Sequence, residues 1–219
     1  MEVERQMPGP SNGPTRVLLT RHGQTVANKE GRFCGHSETP LTDFGRLQAR
    51  ALAQRLAATP IHAAYSSDFS RAMDTAATVL EGRDISLRLD SALREIHYGA
   101  WEMVREREIA KLDPLQYRLM RAEDPAWQPP GGETVGMVRE RTHAAFQRIV
   151  AAHKHQTVFV TMHGDAIICL IAELLRVPLD QTYRFEIANC SLSEVVVRGG
   201  RVTLAGLNDT AHLAGLAKT

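Results

Sequence analysis

The chain of 219 residues has only three cysteines, and none of them has a spacing typical of a metal or redox site. An odd cysteine count without an apolar leader indicates a reduced protein, so we predict a cytoplasmic location. The formal net charge is only +1, so no overall field attracts nucleic acid or an anionic membrane. No run of residues is long and apolar enough to span a membrane. We therefore expect neither nucleic acid nor a membrane as a partner.

Strand patterns that alternate with helical patterns predict the architecture. Hydrophobic residues make up 43% of the chain, which is enough for a good core. The alternation predicts an α/β fold, a three-layer sandwich with a mostly parallel central sheet and helices on both faces. We find no domain boundary within residues 15–213. Residues 1–14, rich in proline and glycine, are predicted to be a disordered arm, and residues 214–219 a C-terminal tail.

One short sequence motif occurs twice in the chain in nearly the same form. Residues 17–23 read VLLTRHG, and residues 158–164 read VFVTMHG. Each apolar run is typical of a buried parallel strand, and side chains just past the carboxyl ends of such strands converge on the ligand crevice. We therefore expect His22 and His163 to face each other over one small substrate.

The residues around these histidines suit phosphoryl chemistry. A neutral imidazole at position 22 has a lone pair that can attack phosphorus, and Arg21 can neutralise two phosphoryl oxygens. His163 and Gly164 open a predicted helix, whose N-terminus attracts anions. Gly23 would let the backbone approach the anion.

A third cation and a carboxylic acid complete the candidate site. Arg71 is predicted in the first turn of a helix capped by Ser70, where an arginine opposes the helix dipole unless it serves an anion. The alternative is a surface arginine bonded to Asp68 or Asp74. Glu95, among apolar and aromatic neighbours, is suited to protonate a leaving oxygen. Glu102 is the competing acid.

The segment 101–130 is different from the rest of the chain. Its polar run and its prolines predict one or two short helices over the mouth of the site, a cap-like segment. Metal binding is not expected, because the histidines lack zinc-like spacing. Four of the remaining histidines are predicted at the surface: His62, His143, His153 and His155.

Taken together, these motifs resemble the histidine phosphatase superfamily, also called the phosphoglycerate mutase-like family. The resemblance covers almost all of residues 15–213. The matching stretches are Arg21 to Thr25 with Asn28, Gly31 to Gly35, Pro40 to Thr42 with Gly45 and Gln48, Ser66-Ser67 with Arg71, Leu93 to Glu102, Pro130 to Glu133, His163-Gly164, Asn189 and Asn208 to Leu213.

The resemblance implies a phosphoglycerate mutase-like fold and a role for each motif. His22 would be the nucleophile that forms a phosphohistidine. Glu95 would protonate the leaving group and then activate water. No cofactor or metal is implied. The residues implied to bind the substrate are Arg21, Asn28, Arg71, His163, Gly164, Cys34, Gly35 and Tyr98.

The departures from the family pattern favour a phosphatase over a mutase. Gln24 and Ala27 stand where the glycolytic mutases typically have glutamate and tryptophan, and the stretch between Glu95 and His163 is short. Asp165 replaces a frequent glycine. The prediction is a metal-independent phosphomonoesterase acting on a small phosphorylated substrate. Two alternatives stay open, a cofactor-dependent phosphoglycerate mutase and a weakly catalytic phospho-ligand binding module, and a homodimer is a possible assembly.

Overall fold

The computed structural model describes residues 13–216, so most of the predicted arm and the last three residues of the predicted tail lie outside the described part. The sheet has six strands in the order β3-β2-β4-β1-β5-β6. The strands are β1 (Thr15–Arg21), β2 (Ala63–Ser66), β3 (Leu87–Leu89), β4 (Thr157–Met162), β5 (Leu192–Arg198) and β6 (Arg201–Asp209). The α-helices are α1 (Val26–Glu30), α2 (Asp43–Leu56), α3 (Ser70–Leu80), α4 (Glu106–Leu112), α5 (Pro114–Arg121), α6 (Val135–Ala152) and α7 (Gly164–Leu174).

The sheet is mixed but mostly parallel, as predicted. Strands β1, β2, β3 and β4 run parallel, whereas β5 is antiparallel to β1 and forms a hairpin with β6. In the pairing of β1 with β4, Arg21 lies opposite Met162. This register places the two copies of the repeated motif side by side, so both histidines follow their strands at the same edge of the sheet.

Helices cover both faces of the sheet and form two hydrophobic cores. Val17 and Leu19 of β1 belong to the core that includes buried residues of α6 and α7. Leu18 belongs to the other core, with residues of α2 and α3 such as Leu52 and Ala76. The alternation along β1 is the period of two that an extended strand imposes. The three-layer α/β architecture is therefore confirmed.

The segment 101–130 forms two short helices, α4 and α5, as predicted. Trp101 stacks on Trp127 with ring centroids 6.1 Å apart, and both indoles are buried. The backbone N–H of Met103 donates to the carbonyl of Phe33, so this segment contacts the loop at residues 32–35. Within residues 13–216, no helix is long and apolar enough to cross a membrane.

Two local predictions were wrong. Ser70 does not cap α3: Phe69 occupies the N-cap position, while the Ser70 hydroxyl donates to the carboxylate of Glu38. His153 is not at the surface but only 7% exposed. It follows the last residue of α6, and its ring is held by hydrogen bonds to Tyr65 at 3.0 Å and Gln156 at 2.9 Å.

Candidate active site

A cavity of about 490 Å³ lies where the carboxyl ends of β1 and β4 meet. His163 is fully buried and does not line this cavity, but its ring centroid lies 5.1 Å from that of His22 in an edge-on arrangement. The structure therefore brings all the predicted site residues together. Those that line the cavity are Arg21, His22, Asn28, Cys34, Gly35, Arg71, Glu95, Tyr98 and Gly164.

The His22 ring is oriented by its own backbone neighbour. Nδ1 lies 2.8 Å from the carbonyl oxygen of Gly23, which can only accept a hydrogen bond, so Nδ1 is the protonated nitrogen and Nε2 has the lone pair. Burial, followed by the charges of Arg71 and Arg21, lowers the pKa of His22 well below its usual value. The ring is therefore neutral at neutral pH, as a nucleophile must be.

Gly23 has a packing role that the sequence did not indicate. A Cβ at this position would lie 2.5 Å from the backbone carbonyl oxygen of Gly45, in the first turn of α2. The glycine is thus required by the contact between two backbone segments, which fixes the loop that follows His22.

Two arginines of the site are held by backbone carbonyls. Arg71 is fully buried and donates to the carbonyls of Gly35 at 2.7 Å and Ser37 at 2.9 Å. Arg21 donates from Nη1 to the carbonyl of Ile187 at 2.8 Å. The alternative of a surface Arg71 bonded to an aspartate is therefore wrong, and Asp68 instead pairs with another arginine, Arg94.

Several buried nitrogen atoms at this site lack a protein partner. Among residues 13–216, neither the Nε atoms of Arg21 and Arg71 nor the two ring nitrogens of His163 have a hydrogen-bond partner. Unpaired buried polar groups are rare in proteins, because each one costs the free energy of its lost hydration. Phosphoryl oxygens are acceptors that would satisfy such a cluster of donors.

Gly35 adopts a backbone conformation with φ of +51°, and a Cβ there would overlap the carboxylate of Glu102. That carboxylate accepts hydrogen bonds from the His36 backbone N–H at 2.7 Å and from the Ser37 hydroxyl at 2.6 Å. Glu102 therefore braces this loop and does not line the cavity, which leaves Glu95 as the candidate acid.

Glu95 is buried against the start of α7. Its carboxylate accepts hydrogen bonds from the backbone N–H groups of Ile96 at 3.0 Å, Ala166 at 3.1 Å and Asp165 at 3.3 Å. Burial, followed by the charge of Asp165, raises the pKa of Glu95 to about 7. A carboxyl group with such a pKa can both donate and accept a proton near neutral pH.

Asn189 supports the site from the loop before β5. Its Nδ2 donates to the carbonyl of His22 at 3.0 Å and to Oδ1 of Asn28 at 3.1 Å. Because Oδ1 of Asn28 also accepts the Thr25 backbone N–H, the remaining polar group of Asn28 is its Nδ2 donor.

Asn189 matches the family only as part of a motif, and its sequence context predicts no role for it. Several further residues that line the cavity have no role predicted from the sequence. These residues are Arg32, Phe33, Asp165, Ile168, Phe185, Glu186, Ile187, Ala188 and Asn208.

Comparison with known proteins agrees with this geometry. Residues 17–210 match the family described as the histidine phosphatase superfamily (branch 1). The chain belongs to this superfamily. It is 33% identical to an adenosylcobalamin/alpha-ribazole phosphatase from Salmonella typhimurium, over 90% of this chain and 97% of that protein. The predicted enzyme class, a histidine phosphatase, is thereby confirmed.

Two further proteins are similar to this chain over most of their length, one in sequence and one in solved structure. A probable phosphoglycerate mutase from Cronobacter sakazakii is 32% identical over 90% of this chain and 94% of its own length. Among solved structures, Bacillus stearothermophilus YhfR matches with a TM-score of 0.87 and 36% identity, covering 91% of this histidine phosphatase and 99% of its own chain. The predicted phosphoglycerate mutase-like fold is thus confirmed.

Proposed function

We propose that this histidine phosphatase is a metal-independent phosphomonoesterase that hydrolyses small phosphate esters through a phosphohistidine on His22. The observation that carries the proposal is that His22, with its Nε2 lone pair free, lines one cavity together with Arg21, Arg71 and Glu95, while the His163 ring lies 5.1 Å from the His22 ring. Arg21, Arg71 and His163 would hold the phosphoryl oxygens, and the Nδ2 group of Asn28 would assist them. Such donors stabilise charge that spreads over the equatorial oxygens in the transition state.

The first step transfers the phosphoryl group to the enzyme. Nε2 of His22 forms a bond to phosphorus while the bond from phosphorus to the ester oxygen breaks. The protonated Glu95 gives its proton to that departing oxygen, so the leaving group is released as an alcohol. The pKa of about 7 leaves a substantial fraction of Glu95 protonated at neutral pH.

The second step regenerates the enzyme. The Glu95 carboxylate accepts a proton from a water molecule, whose oxygen bonds to phosphorus while the bond to Nε2 breaks. Inorganic phosphate leaves, and both His22 and Glu95 return to their starting protonation states. One carboxyl group thus serves as acid and then as base.

The nature of the leaving group separates the proposal from its alternatives. One relative is named as an alpha-ribazole phosphatase and another as a probable phosphoglycerate mutase. The cavity is lined partly by apolar side chains, namely Phe33, Ile168, Phe185 and Ile187, which accommodate an apolar leaving group. This lining favours hydrolysis of an ester of such an alcohol over exchange between phosphoglycerates.

The cap-like role of segment 101–130, the cytoplasmic location and a homodimer stay predictions.

A trapping experiment tests the phosphohistidine. The enzyme is mixed with a ³²P-labelled aryl phosphate, quenched in alkali within milliseconds, digested and mapped. We expect an acid-labile, alkali-stable label on the peptide that contains His22, and no label in His22→Ala. His62→Ala is the matched control, because His62 is exposed and lies outside the cavity. Product formation without any label, or a label on another residue, would overturn the proposal.

Two activity assays address the alternatives. Incubation with 3-phosphoglycerate and a trace of bisphosphoglycerate should release inorganic phosphate and form no 2-phosphoglycerate. Accumulation of 2-phosphoglycerate would favour the mutase. Phosphate binding without turnover of any ester in a broad panel would favour the binding module. EDTA should not inhibit, and inhibition reversed by a divalent cation would contradict the metal-independent mechanism.

A further inference from the structure

One arginine of α6, Arg141, binds the backbone of the segment that contains the proposed acid. Its Nη1 donates to the carbonyls of Ala92 at 3.0 Å and Arg94 at 2.7 Å, and its Nη2 donates to the carbonyl of Glu95 at 2.8 Å. Nε and Nη2 also donate to the two carboxylate oxygens of Glu133, both at 2.8 Å. These bonds use all five N–H groups that a guanidinium has.

Glu133, which lies two residues before α6, binds the same segment further along. Its Oε2 accepts a hydrogen bond from the backbone N–H of His97 at 2.9 Å, and its own backbone N–H donates to the His97 carbonyl at 2.9 Å. A carboxylate that receives two parallel bonds from one guanidinium is fixed in orientation as well as in position. Arg141 and Glu133 therefore hold residues 92–97 on both sides of Glu95.

The segment needs such support, because residues 94–98 belong to no helix or strand. Their backbone groups have no regular ladder of hydrogen bonds, so side chains must supply the partners. The Glu95 carbonyl accepts a second hydrogen bond from Nε2 of His36, at 3.0 Å. A general acid must lie within hydrogen-bond reach of the leaving oxygen, and a displacement of about 1 Å can cost roughly 100-fold in rate.

A second arginine of the same helix shows the difference between this arrangement and a purely structural one. Arg139 is also buried, pairs with Glu173 at 2.8 Å and donates to the carbonyl of Val177 at 2.9 Å and the hydroxyl of Thr182 at 3.3 Å. None of these three partners lines the cavity. The partners of Arg141, in contrast, include the backbone of Glu95 itself.

We propose that Arg141 is a positioning residue, which fixes residues 92–97 against α6 and so holds the Glu95 carboxyl group where it can protonate the leaving oxygen. This inference rests on the proposed role of Glu95 as the acid. Arg141 itself does not line the cavity and transfers no proton. Glu133 acts with it by fixing the guanidinium and the backbone of His97.

The variant Arg141→Lys tests the proposal. It keeps the positive charge, but a single ammonium group cannot bind both oxygens of Glu133 and reach three carbonyls at the same time. The substrates are an alkyl phosphate, whose poor leaving group needs the acid, and an activated aryl phosphate, which does not. We expect kcat for the alkyl ester to fall about 10- to 100-fold and kcat for the aryl ester to fall less than about threefold. KM should change less than about threefold for either ester, because the residues that hold the phosphoryl group are untouched.

Arg139→Lys is the matched control, since it makes the same substitution two residues away in the same helix. It should slow both esters equally, by less than about twofold, even if it lowers the stability measured in urea. In the double variant Glu95→Gln/Arg141→Lys, the second change should add no more than about a twofold loss on the alkyl ester, because no acid is left to position. Glu133→Gln should produce the same selective loss as Arg141→Lys but a smaller one, and it decides the question if Arg141→Lys does not fold.

The outcomes distinguish this inference from the proposed function. If Glu95→Gln slows the alkyl ester selectively but Arg141→Lys slows both esters equally or neither, the role of Arg141 is overturned while Glu95 remains the acid. A full additional loss in the double variant, or the same selectivity in Arg139→Lys, would also overturn it. If Glu95→Gln slows both esters equally, the acid assignment fails, and the inference fails with it.

Discussion

His22 and His163 directly follow two adjacent strands of nearly the same sequence, yet the structure holds the two rings differently. His22 lines the cavity and is fixed through Nδ1 by the Gly23 carbonyl, whereas neither ring nitrogen of His163 has a partner among residues 13–216. The register of β1 and β4 brings the rings together, but the chain that follows each strand decides what each ring can do. After β1 a short loop leads to α1 and contacts the first turn of α2 through Gly23 and Gly45, whereas after β4 helix α7 begins at once.

Both imidazoles share one electrostatic condition. Burial, followed by the charge of Arg71, lowers the pKa of each ring well below its usual value. Two protonated rings beside two guanidinium groups would repel one another, so the site keeps its positive charge on the arginines. A neutral His22 is thereby left as a nucleophile, and a neutral His163 can still donate one N–H to an anion.

Removing each ring in turn should have the largest effect and should show whether the two histidines have different roles. His22→Ala should lower kcat by about 10⁴-fold or more, because the bond-forming atom is lost. His163→Ala should cost about 10²- to 10³-fold, as expected for one lost donor to the transition state. Steady-state kinetics measure both losses, and circular dichroism checks that each variant is folded. Equal losses would show that the two histidines do not have the separate roles assigned here.

The glycines that follow the histidines give a second, smaller contrast. A Cβ at Gly23 would lie 2.5 Å from a backbone oxygen of Gly45, whereas a Cβ at Gly164 would lie 3.3 Å from the Arg21 guanidinium carbon. Gly23→Ala should therefore destabilise the fold by about 1–3 kcal/mol, since one backbone must move. Gly164→Ala should cost less than about 1 kcal/mol but should lower kcat/KM by displacing Arg21.

Urea unfolding and kinetics on the same preparations test this contrast. Gly136→Ala in α6 is the matched control, because a Cβ there meets nothing closer than 3.8 Å. A Gly23→Ala variant as stable as that control would contradict the role of the contact between the two backbones. A Gly164→Ala variant with full activity would contradict the link to Arg21.

The features that the sequence predicts well are those with a local cause. Hydrophobic runs define β1 and β4, and the parallel arrangement then brings His22 and His163 together without further information. The role of Arg71 was ambiguous, because its partners are the carbonyls of residues 35 and 37, more than thirty positions away. Only the folded chain shows that this arginine is buried.

The errors have the same physical origin. The Ser70 hydroxyl reaches Glu38 rather than the helix that it was expected to cap, and His153 is buried by contacts with Tyr65. Asn189 and Ile187 hold His22 and Arg21 from a loop whose sequence has no periodicity. In each case, a contact between distant parts of the chain decides the outcome, and a single sequence does not encode such a contact in any local pattern.

The smallest expected effect concerns the pH dependence of stability, which both histidines should share. In the folded protein, the pKa of each ring lies below its usual value of about 6.5. Below that pH the unfolded chain binds protons that the folded protein does not, so stability should be fully present above about pH 6.5 and should fall as the pH is lowered. Each ring contributes at most about 1.4 kcal/mol per pH unit to this slope.

Replacing one ring by an uncharged polar side chain should therefore flatten the slope. The free energy of unfolding, measured in urea from pH 8 to pH 5.5, should depend less steeply on pH in His22→Gln and in His163→Gln than in the parent protein. Equal slopes in all three proteins would mean that the buried rings accept protons in the folded state. The neutral nucleophile at position 22 would then lose its electrostatic basis, because a protonated imidazole has no lone pair with which to attack phosphorus.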